Sequence, residues 1–360
     1  MTRVFVSDCE GPISKNDNAF ELTSHFVPNG DKLFTVISRY DDVLADVVRR
    51  PGYKAGDTVK LVLPFLKAYN VTERQMKQFA SQHLILISGI KETLKHIQHI
   101  APAFIVSTSY EHYIETMCRA IDFPCENAYS TRANIDKYSI TEEEKRKLEI
   151  FAEEISQMPE IEIPPDAKPL GDFPQDYRKT VQRLDQIFWK EIAGMESGKI
   201  LKEVNPVGGQ EKAEAVKSIA NQLDVDFDCV MYVGDSITDE EAFKLVKERG
   251  GLAVSFNGNQ YAVENSEIAI MSENSIATGI VADVFIRFGK QEAIRLVEEW
   301  NREALNKSLV SPSLLKRLFE LFPRELPKVK LTTHENMEIL AKESTEFRKK
   351  VRGEAIGGLG

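Results

Sequence analysis

Nowhere in its 360 residues does the chain have an apolar run of the roughly 18 residues that a spanning helix needs. Met1 to Ser7 runs as a short strand straight into polar residues, so it does not read as a signal peptide. Cysteine is scarce. The four thiols, Cys9, Cys118, Cys125 and Cys229, form no CxxC pair and have no histidine partners at zinc spacing. That excludes a disulfide framework and a structural zinc site, and predicts reduced cysteines in a cytoplasmic protein. Positive charge is not in excess either: 46 basic against 56 acidic residues give a net charge of −10. A phosphate backbone or anionic membrane wants clustered Lys and Arg, so neither nucleic acid nor membrane is expected as a partner. A small phosphorylated substrate stays open, because one metal ion and one lysine make a local positive site even in an acidic protein. No internal repeat is evident, and oligomeric state is not legible.

What is present is the composition of an ordinary globular protein, with 42% hydrophobic and 28% charged residues. The length suggests two or three structural units. Arg3 to Ser7 reads as a buried strand ending in Asp8, Glu10 and Gly11. From about 15 to 85 the pattern is helical. Leu33, Val36, Ile37, Tyr40, Leu44, Val47 and Val48 mark one face, with Asp31 as candidate N-cap. A helix over Thr58 to Tyr69 is expected to kink at Pro64, and Thr72 to Gln75 is a capping-box pattern. An α/β rhythm then resumes: helix Ile90 to Ile100, strand Ala103 to Val106, helix Glu111 to Ala120. A second helical stretch near 136–202 contains a Pro-rich connection through Pro159, Pro164, Pro165, Pro169 and Pro174. Helix Gln210 to Leu223, strand Cys229 to Val233, helix Glu240 to Arg249 and strands Leu252 to Phe256 and Ile268 to Met271 follow. Strands alternating with helices predict an α/β fold, a Rossmann-like doubly wound parallel sheet. Beyond 291 the chain reads as charged helices, and Gly353 to Gly360 as a disordered tail.

Four elements fall at strand ends or a helix start, where open parallel sheets bind ligands. Asp8-Cys9-Glu10-Gly11 puts two carboxylates two residues apart, one able to attack phosphorus and the other to handle protons. Gly11 lets backbone approach a ligand closely. Ser107, after strand Ala103 to Val106, offers a hydroxyl to a phosphoryl oxygen; alone it reads more readily as a turn or helix cap. Lys212 sits at a helix start, where the helix dipole does not favour a cation. Gly234-Asp235-Ser236-Ile237-Thr238-Asp239 offers a hard oxygen ligand at Asp235, with Asp239 as cap or support.

In this order the four elements resemble the haloacid dehalogenase superfamily, over roughly 1–14, 86–135 and 203–290. Gly251-Leu-Ala-Val-Ser-Phe-Asn257 and Glu264-Asn-Ser-Glu-Ile-Ala-Ile270 are similar to the phosphoserine-phosphatase-like branch, within which the chain resembles a predicted archaeal phosphatase family. The resemblance implies Asp8 as nucleophile and magnesium ligand and Glu10 as general acid/base whose carbonyl also binds magnesium. It implies Ser107, Gly11 and Lys212 as phosphate-binding groups, Lys212 also as catalytic, and Asp235 as a further magnesium ligand. Asp239, Thr238 and Asn257 would support the site. Glu10 replaces the usual aspartate, Pro12 a common threonine and Thr238 a frequent asparagine. These departures bear on the substrate more than on the reaction.

Ser107 lies 99 positions after Asp8 (107 − 8), far more than a crossover needs. The resemblance makes 15–85 a helical cap, 136–202 a second, mostly helical insertion, and 291–360 a C-terminal helical extension. Arg39, Arg49, Arg50 and Lys54 in the cap are candidates for recognising a substrate carboxylate or second phosphate, or else a solvated basic face. The expected function is a magnesium-dependent phosphatase acting through an aspartyl-phosphate. The alternatives are a phosphotransferase with the same intermediate, and a non-catalytic regulatory or binding subunit.

Overall fold

A computed structural model describes residues 2–163 and 169–359. Pro164 and Pro165 of the Pro-rich connection lie outside the described residues. Seven strands form one sheet: β1 (Val4–Ser7), β2 (Ala103–Tyr110), β3 (Ala128–Thr131), β4 (Val230–Gly234), β5 (Leu252–Phe256), β6 (Ile268–Met271) and β7 (Lys328–Leu331). Their spatial order is β3-β2-β1-β4-β5-β6-β7. The chain builds outward from β1 in one direction and, from β4, in the other. The order therefore reverses at the β1/β4 pair, where Val4 to Ser7 lie in parallel register against Val230 to Val233. The ends of these two strands frame the crevice in which such sheets bind ligands.

The apolar runs explain why both faces are covered. Side chains alternate along each strand. Phe5, Ile105, Met231, Val233 and Val254 pack on one face with helices Ile90–Ile100 and Ile276–Phe288. Val4, Val6, Phe104, Val106 and Tyr232 pack on the other with helices Gln210–Leu223 and Glu240–Glu248. Six strands are parallel. The seventh is a departure from the expected helical extension at 291–360: Lys328–Leu331 adds to β6 antiparallel, with Val329 opposite Ile270. It is short and alternates exposed lysines with apolar residues, as an edge strand should, and its pattern is too brief to stand out among charged helices. β3 escapes a sequence reading for the same reason.

A second core lies beyond the sheet, reached from it by Tyr110 at the end of β2. Leu33, Ile37, Tyr40, Leu61 and Phe65 from the first helical stretch share it with Leu148, Ile155, Leu184, Phe188 and Leu201 from the second. The two inserts are thus one packed helical body. Leu359 also enters this core at 6% exposure, and Glu354–Gly357 is a helical turn. The expectation of a disordered tail is therefore wrong: burying Leu359 and bonding the Gly358 carbonyl to Arg39 (2.7 Å) offset the entropy of ordering this segment. The helix assigned to an Asp31 cap instead begins at Gly30, after Asn29 in the left-handed region.

One buried carboxylate ties the sheet-covering helices together. Asp283 is fully buried and accepts from His96 Nε2 (2.9 Å), Arg287 Nη1 (3.0 Å), and Ser311 through both its N–H (2.9 Å) and hydroxyl (2.8 Å). Burial alone would raise its pKa, but His96, Ser311 and Arg287 outweigh burial and hold it below the ordinary value. A depressed folded-state pKa gives stability that is present above the unfolded value and lost as pH falls through the folded one. Asp283→Asn should therefore lower unfolding free energy at neutral pH by about 1–3 kcal/mol, the cost of weakening charged hydrogen bonds. The deficit should shrink below the ordinary carboxylate pKa of about 3.9. Urea denaturation at neutral and strongly acidic pH measures both.

Candidate active site

β1 ends at Ser7, and the next peptide stays in the sheet through Asp8 N–H to Val233 O (2.8 Å). The chain then turns tightly, with Ile13 and Ser14 N–H groups both on Cys9 O (2.8 and 2.9 Å). Gly11 sits at φ 103°, in the region that favours glycine. A Cβ there would lie 2.1 Å from Asp235 Oδ2. Gly11 is therefore the residue that lets the turn after β1 and the end of β4 close on each other.

The Asp8 carboxylate accepts from Cys9 N–H at Oδ1 (2.6 Å) and from Lys212 Nζ at Oδ2 (2.6 Å). Lys212 also donates to Asp239 Oδ1 (2.7 Å) and is fully buried. Its unfavourable position at a helix start is offset by this pair of carboxylates. Burial would lower its pKa, but Asp239 and Asp8 together raise it, so it stays charged. Burial, against the pull of Lys212 and with Asp239 and Asp235 adding to the rise, brings Asp8 up to about 7. Glu10 is pushed well above its ordinary value, by burial first and then by Asp17. Glu10 Oε1 accepts the Asn18 N–H (2.7 Å), which fixes its direction.

Asp239 plays both parts left open by the sequence. Its Oδ2 accepts from the Asp235 and Ser236 N–H groups (2.9 and 3.0 Å), which caps the turn, while Oδ1 holds Lys212 and Tyr232 OH (2.7 Å). A carboxylate has about four lone-pair sites, and all are taken. Asp8, Asp235 and Asp239 each place a carboxylate oxygen within 4.8 Å of the others, but only Asp8 and Asp235 have capacity left for a cation. Hard oxygen donors at this spacing fit magnesium. Tyr232, missed from the sequence, looks there like any apolar strand residue.

Ser107 is buried, with its hydroxyl 3.2 Å from that of Ser109. It does not cap the following helix, whose N-cap is Tyr110. Thr238 Oγ1 lies 3.0 Å from Ser236 Oγ. A cavity of about 100 Å³ is lined by Asp8, Glu10, Ser107, Asp235 and Thr238, with Ser38, Asp41 and Asp42 from the helical body. Asn257 is elsewhere. Its side chain bonds Ser272 twice, N–H to Oδ1 (2.9 Å) and Nδ2 to O (2.8 Å), joining the ends of β5 and β6.

The family model for haloacid dehalogenase-like hydrolases matches residues 71–283. The chain belongs to that family. The matched segment carries Ser107, Lys212, Asp235 and Asp239; Asp8 and Glu10 precede it, and their place in this haloacid dehalogenase-like hydrolase rests on the geometry above. Among solved structures, a gene product from Archaeoglobus fulgidus is 25% identical with a TM-score of 0.81, over 100% of this chain and 99% of that one. An apo phosphoserine phosphatase is a looser likeness, 13% identical with a TM-score of 0.44, over 81% of this chain and 100% of that one. A phospho-aspartyl intermediate analogue of phosphoserine phosphatase is 12% identical with a TM-score of 0.46, over 76% and 95%. No curated protein matched significantly. Among the described residues no helix is long and apolar enough to cross a membrane.

The cationic groups facing the cavity of this hydrolase are not the four singled out in the first insert. Arg49 pairs with Asp46 and is mostly exposed; Arg50 pairs with Asp185 (2.8 Å) and lies over Trp189; Lys54 pairs with Glu211. Arg39 bonds the Gly358 carbonyl. The cavity is instead lined by Arg348 and Arg352, from helix Met337–Arg352, both paired with Asp235 Oδ2. These positions lie 113 and 117 residues from Asp235, and nothing local in a charged C-terminal helix distinguishes them.

Proposed function

We propose that the protein is a magnesium-dependent phosphatase that hydrolyses a small phosphorylated metabolite through an aspartyl-phosphate on Asp8. The observation that carries this reading is the buried chain Asp8–Lys212–Asp239. It presents one carboxylate, with its charge offset, at a sheet crevice lined by a hydroxyl and a second acid. Asp8 and Asp235 would hold the cation, which supplies charge neutralisation for a phosphoryl group.

The Asp8 carboxylate attacks phosphorus, and the bond from phosphorus to the ester oxygen breaks. Glu10, kept protonated by burial, gives its proton to the departing oxygen. Ser107 donates to a phosphoryl oxygen, and Lys212 offsets the charge shared by Asp8 and the phosphate. Water then attacks the same phosphorus, Glu10 takes its proton, and the bond to Asp8 breaks to release inorganic phosphate. The helical body above the crevice excludes bulk water from Asp8, which is 4% exposed.

Phosphate release should be measured over a panel of phosphorylated metabolites with magnesium, with excess chelator, and with calcium. At least one ester should be turned over with magnesium and lost on chelation. Calcium should support little, because its longer bonds and larger ligand number misplace the nucleophile. Full turnover in chelator would overturn the metal assignment.

A further inference from the structure

Arg348 combines deep burial with a donor that has no acceptor. It is 3% exposed and lines the catalytic cavity, although it comes from the C-terminal helix Met337–Arg352. Its donors are unevenly used. Nη1 carries the load, bonding both the carboxylate and, at 3.1 Å, the backbone carbonyl of Asp235. Nη2 reaches only the Leu359 carbonyl, at 3.4 Å, the edge of a hydrogen bond. Nε is buried with no acceptor. A buried donor left unmade costs about 1–3 kcal/mol, so an unmet N–H beside a cavity asks for a ligand. Nε and Nη2 lie along one edge of the planar guanidinium, the edge that meets two oxygens of a carboxylate or phosphate in parallel.

Arg352 is different. Besides Asp235 it bonds the carbonyls of Lys15 (Nε, 3.0 Å) and Asn16. Its fork is committed to the backbone just past the Asp8 turn, so it positions that segment and has little left for a ligand.

We infer that Arg348 is the specificity-determining residue of this site, and that its Nε–Nη2 edge binds a second anionic group on the substrate, a carboxylate or a second phosphate. The substrate class is then a phosphate monoester with another anion within a few atoms of the ester oxygen. The small cavity favours such a short molecule, and displacing the long contact to Leu359 frees the fork. Arg348 keeps its Nη1 contacts to Asp235 throughout. The inference rests on the phosphatase reading for its substrate, but binding tests it without turnover.

The probes are phosphoglycolate, 2-hydroxyethyl phosphate (which keeps the phosphate and replaces the carboxylate with an uncharged alcohol), and ethylene glycol bisphosphate, titrated calorimetrically into the full-length protein with magnesium. Asp8→Asn supplies a second background that cannot consume them. Wild type should bind one or both probes that carry a second anion about 10- to 100-fold more tightly than the one that lacks it, the worth of a charged hydrogen-bond pair; which of the two is tighter separates carboxylate from phosphate. Arg348→Lys, which keeps the charge and removes the fork, should erase most of that ratio. Arg348→Met, checked by thermal unfolding, should erase it too. Equal affinity of wild type for all three probes overturns the inference, whether or not either variant folds. So does an unchanged ratio in folded Arg348→Lys. Failure of the phosphatase reading shows differently, as selective binding without phosphate release.

Discussion

Asp8→Asn should reduce phosphate release by on the order of 10⁴-fold or more, with the protein still folded. The amide keeps the shape of the carboxylate, so the Cys9 N–H at Oδ1 still finds an acceptor. What it lacks is the anionic oxygen that forms the bond to phosphorus, and none of the neighbouring groups can replace it. Asp235 is turned toward Arg348 and Arg352, and Asp239 has no lone pair to spare. Stability is expected to survive. Burial raises the Asp8 pKa to about 7. A carboxyl whose folded-state pKa lies above its unfolded value favours folding most at low pH, and that contribution is lost as pH rises through the folded value. Above neutrality the ionised Asp8 is thus a cost that a neutral amide avoids. Lys212 retains Asp239 as counter-charge. Phosphate release and thermal unfolding, measured on the same preparation, check both halves. Turnover within tenfold of wild type would remove Asp8 from the nucleophile role.

The parts of the site legible in the sequence are those fixed by local structure. Asp8 and Asp235 each follow a strand directly, and Ser107 lies within β2 just past its apolar run Ala103–Val106; such buried runs announce themselves by composition. The sheet then brings their ends together by rules that do not depend on detail. Lys212 was legible because a cation at a helix start is electrostatically odd, and the structure shows the two carboxylates that resolve the oddity. Asn257 followed the same logic and ended elsewhere. It stands after β5 at φ 48° and spends its amide on Ser272, so it fastens two strand ends without lining the cavity.

The arginines show what local reading misses. Arg49 and Arg50 are candidates as basic residues of the first insert, yet Asp46, Asp185 and Trp189 satisfy them within the helical body. Arg348 and Arg352 sit in a helix whose sequence is mostly charged. Their burial follows from how that helix packs against Gln260–Asn265 and the end of β6, contacts with a sequence separation of about 70 to 90 residues. Charge alone cannot signal such a placement, since most charged helical residues are solvated. The shared core of the two inserts was hidden for a similar reason. Each has its own apolar stripe, and a stripe says that a face is covered without saying by what.

Glu10→Gln should cut turnover by about 10²–10⁴-fold, the range usual for a general acid/base, and should leave substrate binding largely intact. The glutamine keeps an oxygen for the Asn18 N–H, so the side chain should hold its direction. It has no proton to give a departing alkoxide and no site to take one from water. Both half-reactions need such a group, so the amount of loss depends on the leaving group. With an ester whose alcohol is a poor leaving group, protonation of the departing oxygen matters most and the loss should be at the upper end. With an activated aryl phosphate, the first step needs little acid help, and only attack by water on the aspartyl-phosphate remains impaired. Pre-steady-state measurement with an aryl ester should then show a burst of alcohol release followed by slow turnover, absent or much smaller in wild type. Equal losses with a burst for both esters would confine Glu10 to the second step, and equal losses with no burst would give it a structural role. An intact rate with both would assign it only to anchoring the turn between Asp8 and Asn18.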